Sequence, residues 1–265
     1  MNIYPIVVTY CVDFESSAVY KTLLRYYPDC EFLIYDNSPK PINKVYQNAK
    51  ISYIHNEANG GVTIAYNTGA KLARGIGKSH IVMFDQDTFF DRDYLNRLEK
   101  AITDHPGTYL FVPAVFYKGK IPFSPVRFKL FSIKPEQLKP GEYSLFEYIP
   151  VNSGACVKLD AYENSGGYNG EIKLDFADFD FFQRLSKVSS NFCLLDSQAF
   201  QQFSNTETET RQLMKRFCIY INDANHYKGK RFIGIHVLRH TLALSFRSKS
   251  IHFILYYIKH YLLHL

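Results

Sequence analysis

Four short apolar runs near the start of the chain, residues 3–10, 31–35, 51–54 and 80–84, are separated by amphipathic stretches long enough for a helix each. That alternation is the pattern of β-α-β units on a largely parallel sheet, and it limits the fold more than any other feature. Helices are predicted over 16–26, 42–48 and 63–74, the last stopped by Gly75 and Gly77. Right-handed crossovers place the ends of all four strands on one edge. Thr9, Asp36, Asn56 and Asp85 then gather where open α/β sheets bind ligands.

Further along, 109–117 reads as a strand and the Pro- and Lys-containing stretch 118–140 as a loop or lid. Gly166-Gly167 marks a turn, and 176–188 reads as a helix with an acidic first turn and an aromatic face. From Glu207 onward the pattern is helical, which divides the chain into residues 1–205 and a helical region, 206–265. The first part divides again into a ligand-binding half, 1–103, and a second half, 104–205.

With 46% hydrophobic and 16% aromatic residues in 265, the chain has the apolar content for a full core and is not disordered. The net charge is +6, yet seven Lys and Arg and no acidic residue follow Asp223, so residues 1–223 are near −1. The basic surface belongs to the tail. Cys11, Cys30, Cys156, Cys193 and Cys218 are odd in number and scattered, which argues against a disulfide framework or structural zinc and for a reducing cytoplasm. No signal peptide is apparent in Met-Asn-Ile-Tyr-Pro.

Asp85-Gln86-Asp87 follows the buried-strand pattern of Ile81-Val82-Met83-Phe84. Hard carboxylates two apart at a sheet edge suit Mg2+ or Mn2+ and leave coordination positions for phosphate oxygens. The motif is common, with roughly one Asp-x-Asp expected by chance in a chain of average composition. Asp91-Arg92-Asp93 and Asp178-Phe179-Asp180 repeat it, so context has to separate the three. Asp36 in Tyr35-Asp36-Asn37-Ser38 either accepts the N3–H of a pyrimidine base or forms an Asx turn into Pro39. Asn59-Gly60-Gly61 opens a helix with Ala65 and Gly69 four apart, which suits a diphosphate or sugar ligand or, equally, close helix–sheet packing. In the block 175–185, Asp178 is the candidate general base among Phe176, Phe179 and Phe182, with Asp175, Asp180 and Arg184 in support; the alternative is helix capping.

The tail mixes Arg231, Arg239, Arg247, Lys249 and Lys259 with apolar runs too short and interrupted to span a bilayer. It fits helices lying on an anionic membrane surface, or packed on the core or at a homo-oligomer interface. With no recognised nucleic-acid module before it, nucleic acid is not an expected partner.

In order, these segments resemble the inverting family-2 glycosyltransferases of GT-A fold, most closely the bacterial rhamnosyltransferase-like branch, over about residues 3–205. The resemblance rests on Val8-Thr9-Tyr10-Cys11, Asp36-Asn37-Ser38, the segment from Asn59 to Gly69, Asp85–Asp87, Ser153-Gly154, and Asp175, Asp178, Asp180 with Arg184. It implies a Rossmann-like α/β catalytic domain with a C-terminal membrane-associating extension. The donor, a dTDP- or UDP-sugar, would meet Thr9, Tyr10, Asp36, Asn37, Asn59, Gly60, Gly61, Asn67, Asp85, Gln86 and Asp87. Asp85 and Asp87 would hold Mg2+ or Mn2+, Asp178 would deprotonate the acceptor hydroxyl, and Ser153 and Gly154 would border the acceptor. The implied reaction moves L-rhamnose from dTDP-rhamnose onto a lipid-linked glycan for a bacterial capsule or surface polysaccharide, at the inner face of the cell membrane. UDP-galactose, UDP-galactofuranose and UDP-glucose are alternative donors.

Two departures stand out. Cys11 occupies a position usually held by Asn, and Phe200-Gln201-Gln202-Phe203 stands where some relatives carry a metal-binding His. A nucleotidyltransferase would want a basic Gly-rich loop after the first strand, where Val12-Asp13-Phe14-Glu15 is acidic. A non-catalytic membrane-surface scaffold is the rival reading from another class.

Overall fold

The computed structural model describes residues 2–42, 49–118, 121–129, 132–202 and 209–264. β1 (Ile3–Thr9) is followed by a short helix α1 (Ala18–Thr22), then β2 (Phe32–Asp36), β3 (Ile51–His55), α2 (Gly61–Gly75) and β4 (His80–Asp85). The four strands are parallel in the order β3-β2-β1-β4, with Thr9 beside Asp36, Asp36 beside His55 and Val8 beside Asp85. One edge therefore collects the strand ends, as the alternating pattern requires.

The helix expected over 16–26 is broken. Single 3-10 turns, Phe14–Ser16 and Leu24–Tyr26, flank α1, and Tyr27 leaves helical space before Pro28, where the proline ring disfavours it. Of the helix expected over 42–48, residues 43–48 lie outside the described residues.

Next come β5 (Thr88–Phe90), α3 (Tyr94–Asp104) and β6 (Leu110–Tyr117). The stretch expected to be a loop or lid is instead largely β: β7 (Ile121–Ser124) pairs with β6, and β8 (Val126–Lys129) pairs with β9 (Ser132–Pro135). The alternation in Val-Arg-Phe-Lys carries the strand signal there, beneath a loop-like content of Pro and Lys. β10 (Gly141–Ser144), β11 (Tyr148–Ile149), β12 (Cys156–Lys158), α4 (Leu159–Asn164), α5 (Ala177–Leu185) and β13 (Asn191–Gln201) complete the αβ part. The tail folds as α6 (Thr210–His226), α7 (Lys230–Ser248) and α8 (His252–His260).

The main sheet is mixed, in the order β10-β13-β6-β12-β4-β1-β2-β3. β12 runs antiparallel to both β4 and β6, so the chain entering it passes the C-terminal end of β4. Ser153-Gly154 is pinned there by the Gly154 N–H donating to Met83 O at 2.8 Å. Gly154 has φ +80, and a Cβ on it would sit 2.7 Å from the Phe90 ring, so only glycine fits.

Side chains alternate across the sheet with period two. Tyr4, Ile6 and Val8 join one buried cluster, and Ile3 and Val7 the other. α2 lies against the first face, so close that a Cβ on Gly69 would fall 2.4 Å from Ile6 Cδ1. Phe217, Ile221, Phe253, Tyr257 and Tyr261 of the tail are buried in that same cluster. Outward, α7 presents Ile235, Leu238, Leu242 and Phe246, the last 89% exposed, and α8 presents Leu255 and Ile258, with Ile251 exposed just before it. No helix among the described residues is long and apolar enough to cross a membrane.

Candidate functional site

β4 carries its apolar run into the sheet and ends at Asp85, and β5 starts at Thr88, so Gln86 and Asp87 form a tight connection at the strand-end edge. Asp85 Oδ2 accepts from the Ser153 hydroxyl and from Gln201 Nε2, the latter at 3.1 Å. Burial pushes the Asp85 carboxyl up, with the bond from Ser153 opposing it. Asp87 is pushed up to about 7, first by burial and then by the charge on Asp85. A buried carboxylate whose charge raises the pKa of its neighbour favours a shared cation.

Asp178, in the first turn of α5, faces the same place. Its Oδ2 accepts from the Asn152 N–H and its Oδ1 from the Tyr168 hydroxyl, both at 3.2 Å. The residue keeps part of its surface open while its carboxyl is enclosed, and burial raises it to about 7, with Asp85 adding a smaller push. The buried Tyr66 hydroxyl is pushed far up by burial and then by Asp85, Asp178 and Asp87, so one group senses all three acids. The aromatic surroundings expected for Asp178 are different in fact. Phe176 stacks on Tyr227 at 5.8 Å and meets Tyr220 at 5.0 Å, while Tyr168 and Asn152 are the residues that touch the carboxyl.

The other two acid pairs separate clearly. Asp93 stands at the N-cap position of α3, where its side chain makes no capping bond, and pairs with Arg97 at 2.8 Å. Asp180, two residues from Asp178, turns into the protein and is gripped by Arg184 Nε and Nη2 at 2.9 and 2.7 Å. Arg184 also donates to Ser165 O, and Asp175 receives a two-pronged bond from Arg216. Asp175, Asp180 and Arg184 thus brace α5 rather than face the cleft.

Several residues expected to grip a donor are engaged internally. Asp36 is 0% exposed; Oδ1 accepts from the Ser38 N–H and hydroxyl, and Oδ2 from Ile42 N and the Tyr53 hydroxyl. No lone pair is left facing a base, because the Asx turn and Tyr53 consume the carboxylate. Asn67 is likewise spent: Nδ2 donates to Tyr168 O at 2.8 Å while Oδ1 accepts from Tyr162 and Tyr168 N. It locks α2 to the Gly166-Gly167 turn. Thr9 is buried, its carbonyl accepting from Asn37 N, and Asn37 Nδ2 donates to Gly61 O. Gly61, with φ +81, lies against Lys173, whose carbonyl would be 2.1 Å from an added Cβ and which accepts the Val62 N–H. Asn59 sits at φ +47 beside Gly60 at this helix entry. Tyr10 stays 48% exposed, its main chain paired with the Gln86 amide at 2.7 and 3.3 Å.

Asp223 of α6 is a residue that sequence order hides. Fully buried, it accepts the N–H groups of Lys173, Leu174 and Asp175 at 2.9, 2.8 and 2.8 Å. Since Lys173 also meets Gly61, the segment 173–175 joins the entry of α2, the α5 helix bearing Asp178 and the tail. A cavity of about 520 Å³ lies elsewhere, between α3 and β13, but its Arg97 is tied to Asp93 and Asp196 O, and none of Asp85, Asp87 and Asp178 lines it.

Oxygen donors for a divalent cation are present, in Asp85 and Asp87. Asp85 Oδ1 is sealed from solvent and, among the described residues, has no hydrogen-bond partner of good geometry, as a carboxylate awaiting a cation would be. Among the described residues, no group of three His, Cys, Asp or Glu is arranged to hold a metal, so Asp and Glu alone do not complete the set.

Residues 17–161 match the family described as Glycosyl transferase family 2. A dTDP-rhamnosyl transferase, RfbF of Shigella flexneri, is 22% identical over 191 residues, covering 69% of this chain and 62% of that protein. The chain thus spans about three-fifths of that relative's length, 62%. Among solved structures, GalNAc-T7 with UDP, GalNAc and Mn2+ superposes with a TM-score of 0.57 at 12% identity, covering 84% of this chain and 47% of the other. TarS 1–349 of S. aureus in complex with UDP-GlcNAc gives 0.55 at 14% identity, covering 95% and 74%. At such identity the likeness is one of fold, a mixed, curled sheet with flanking helices of GT-A type. With more than half of its length matched to that family, this chain belongs to glycosyl transferase family 2.

Proposed function

We propose that the chain is an inverting, metal-dependent glycosyltransferase that moves a sugar from a pyrimidine nucleotide to a hydroxyl group of a glycan. The observation that carries this reading is the convergence of Asp85, Asp87 and Asp178 at the strand-end edge, with Asp178 held near neutrality by burial first and by the charge on Asp85 to a smaller extent. An acid that titrates near 7 is matched to deprotonating a hydroxyl at physiological pH. Asp178 takes the proton as the acceptor oxygen attacks the anomeric carbon on the face opposite the leaving diphosphate, and a single displacement inverts the centre. Asp87 and Asp85 are the residues that would hold Mg2+ or Mn2+, which supplies charge neutralisation for the departing diphosphate. Ser153 keeps Asp85 oriented.

The relation to a dTDP-rhamnosyl transferase supports dTDP-rhamnose as donor, and neighbours solved with UDP and UDP-GlcNAc support a pyrimidine nucleotide more generally. UDP-galactose, UDP-galactofuranose and UDP-glucose are the alternatives. A lipid-linked acceptor in surface-polysaccharide synthesis, met at the inner face of the membrane, is supported by the apolar outward faces of α7 and α8 beside exposed Arg239, Arg247, Lys249 and Lys259.

The test is thermal-shift binding of dTDP, UDP, GDP and ADP with and without Mn2+. Selective stabilisation by dTDP or UDP, larger with Mn2+, is the expected result, because a ligand at a hundredfold its Kd adds about 2.7 kcal/mol to the native state. No response to any nucleotide refutes the reading.

A further inference from the structure

β13 delivers a carboxamide to the acidic pair. It runs antiparallel to β5 with Gln201 opposite Thr88, and the Gln202 N–H donates to Asp87 O at 3.2 Å. The main chain thereby fixes Gln201 beside the Asp85–Asp87 connection, since a slip of one residue would turn its side chain to the other face. Gln201 Nε2 donates to Asp85 Oδ2 at 3.1 Å, and the amide also reaches the Asp87 carboxyl. That leaves Oε1, which is sealed from solvent and has no partner among the described residues. Asp85 Oδ1 is in the same condition; the Thr88 hydroxyl and the N–H groups of Asp85 and Thr88 are close enough to the carboxyl to lower its pKa, but none is in hydrogen-bonding geometry with Oδ1.

A buried oxygen without a donor costs about 1–3 kcal/mol, so two of them beside a carboxylate pair need a physical reason. The amide is oriented by Asp85, whose Oδ2 takes the N–H and so commits the carbonyl oxygen elsewhere. A divalent cation accepts electron pairs from such oxygens and satisfies them together.

We propose that Gln201 is a ligand of the divalent cation through Oε1, making the protein's donor set Asp87, Asp85 and Gln201. The inference rests on the metal-dependent reading above and adds the residue that completes the set. Every donor is then a hard oxygen, with neither imidazole nor thiolate, a composition that favours Mg2+ and Mn2+ and gives Zn2+, Co2+ and Ni2+ no nitrogen or sulfur to hold.

The experiment is titration of the full chain with Mn2+, alone and with UDP, read by electron paramagnetic resonance, with Mg2+ and Zn2+ as competitors. Gln201→Leu should bind Mn2+ at least about tenfold more weakly than the parent while melting at the same temperature or higher. Gln201→Glu keeps the oxygen and adds charge, so it should bind Mn2+ more tightly. Gln201→His should shift the competition toward Zn2+. Parent-like Mn2+ affinity in a folded Gln201→Leu protein overturns the assignment and leaves the metal reading standing. If that variant does not fold, Gln201→Glu decides, and affinity equal to or below the parent's overturns the proposal. Failure of the parent to bind Mn2+ even with UDP overturns the metal reading itself, and this assignment with it.

Discussion

Replacing Asp178 by Asn is expected to stabilise the protein while abolishing transfer. Unfolded, the carboxyl titrates near its ordinary 3.8; folded, burial raises it to about 7. The folded state therefore favours the protonated form, and the stability tied to that proton is complete below the unfolded value and lost as pH rises through about 7. That difference corresponds to on the order of 4 kcal/mol above neutrality, and to about half as much because the cleft leaves part of the side chain wet. Asparagine removes the titration at little structural cost. Its carbonyl can accept from Asn152 N as Oδ2 does, and its amide can donate to the Tyr168 oxygen once that hydroxyl turns. Melting should thus be nearly equal for parent and variant at pH 4, and about 4–8 °C higher for the variant at pH 8. Donor binding should persist without turnover, and the parent's kcat/KM should rise with pH through a midpoint near 7. A stability gap that does not change between pH 4 and 8, or a variant less stable at pH 8, refutes the reasoning.

The same substitution should do the opposite at Asp223. Three N–H groups converge on its two oxygens, so an amide nitrogen would face at least one of them donor to donor, and Asp223→Asn is expected to cost about 2–3 kcal/mol in urea unfolding. Unchanged stability would remove its bracing role. Cys11 lies at φ +54, where Asn is better tolerated, so Cys11→Asn should raise stability by about 0.5–1 kcal/mol in the same assay; a loss would show that the thiol makes a specific contact. Leu242→Asp with Phe246→Asp, both on exposed positions, should leave melting unchanged and reduce binding to anionic vesicles in a sedimentation assay, and parent-like binding would rule out this face as the membrane contact.

The parallel half of the sheet is legible because its strands are bounded apolar runs, and their shared edge follows from the handedness of crossovers. The strands between 121 and 135 are obscured because their pairing partners, not their composition, make them strands. At the candidate site, the location of Asp85 and Asp87 is written in the local sequence, since the strand pattern ends where the acids begin. What holds Asp178 is not: one partner is a backbone N–H at 152 and the other a tyrosine after the Gly166-Gly167 turn. Asp36 and Asn67 show the reverse problem. Each has a side chain suited to a ligand; Asp36 is consumed by the Asx turn that its own sequence allows together with Tyr53, and Asn67 by two tyrosines, whose proximity only the fold creates. Gln201 is visible in sequence only as an absence of histidine, and its relation to the acids depends on the register of β13 with β5.

The burial of Phe217, Ile221, Phe253 and Tyr257 together with Tyr4 and Ile6 has a consequence for how the molecule opens. Central amides of α6 and of β1 are protected by one contiguous core, so their deuterium uptake should be governed by a common global opening, with separate early exchange confined to frayed ends. The tail helices then unfold with the sheet as one cooperative unit. A lesion in α6, far along the chain, would be registered at the strand-end edge without any contact to a ligand.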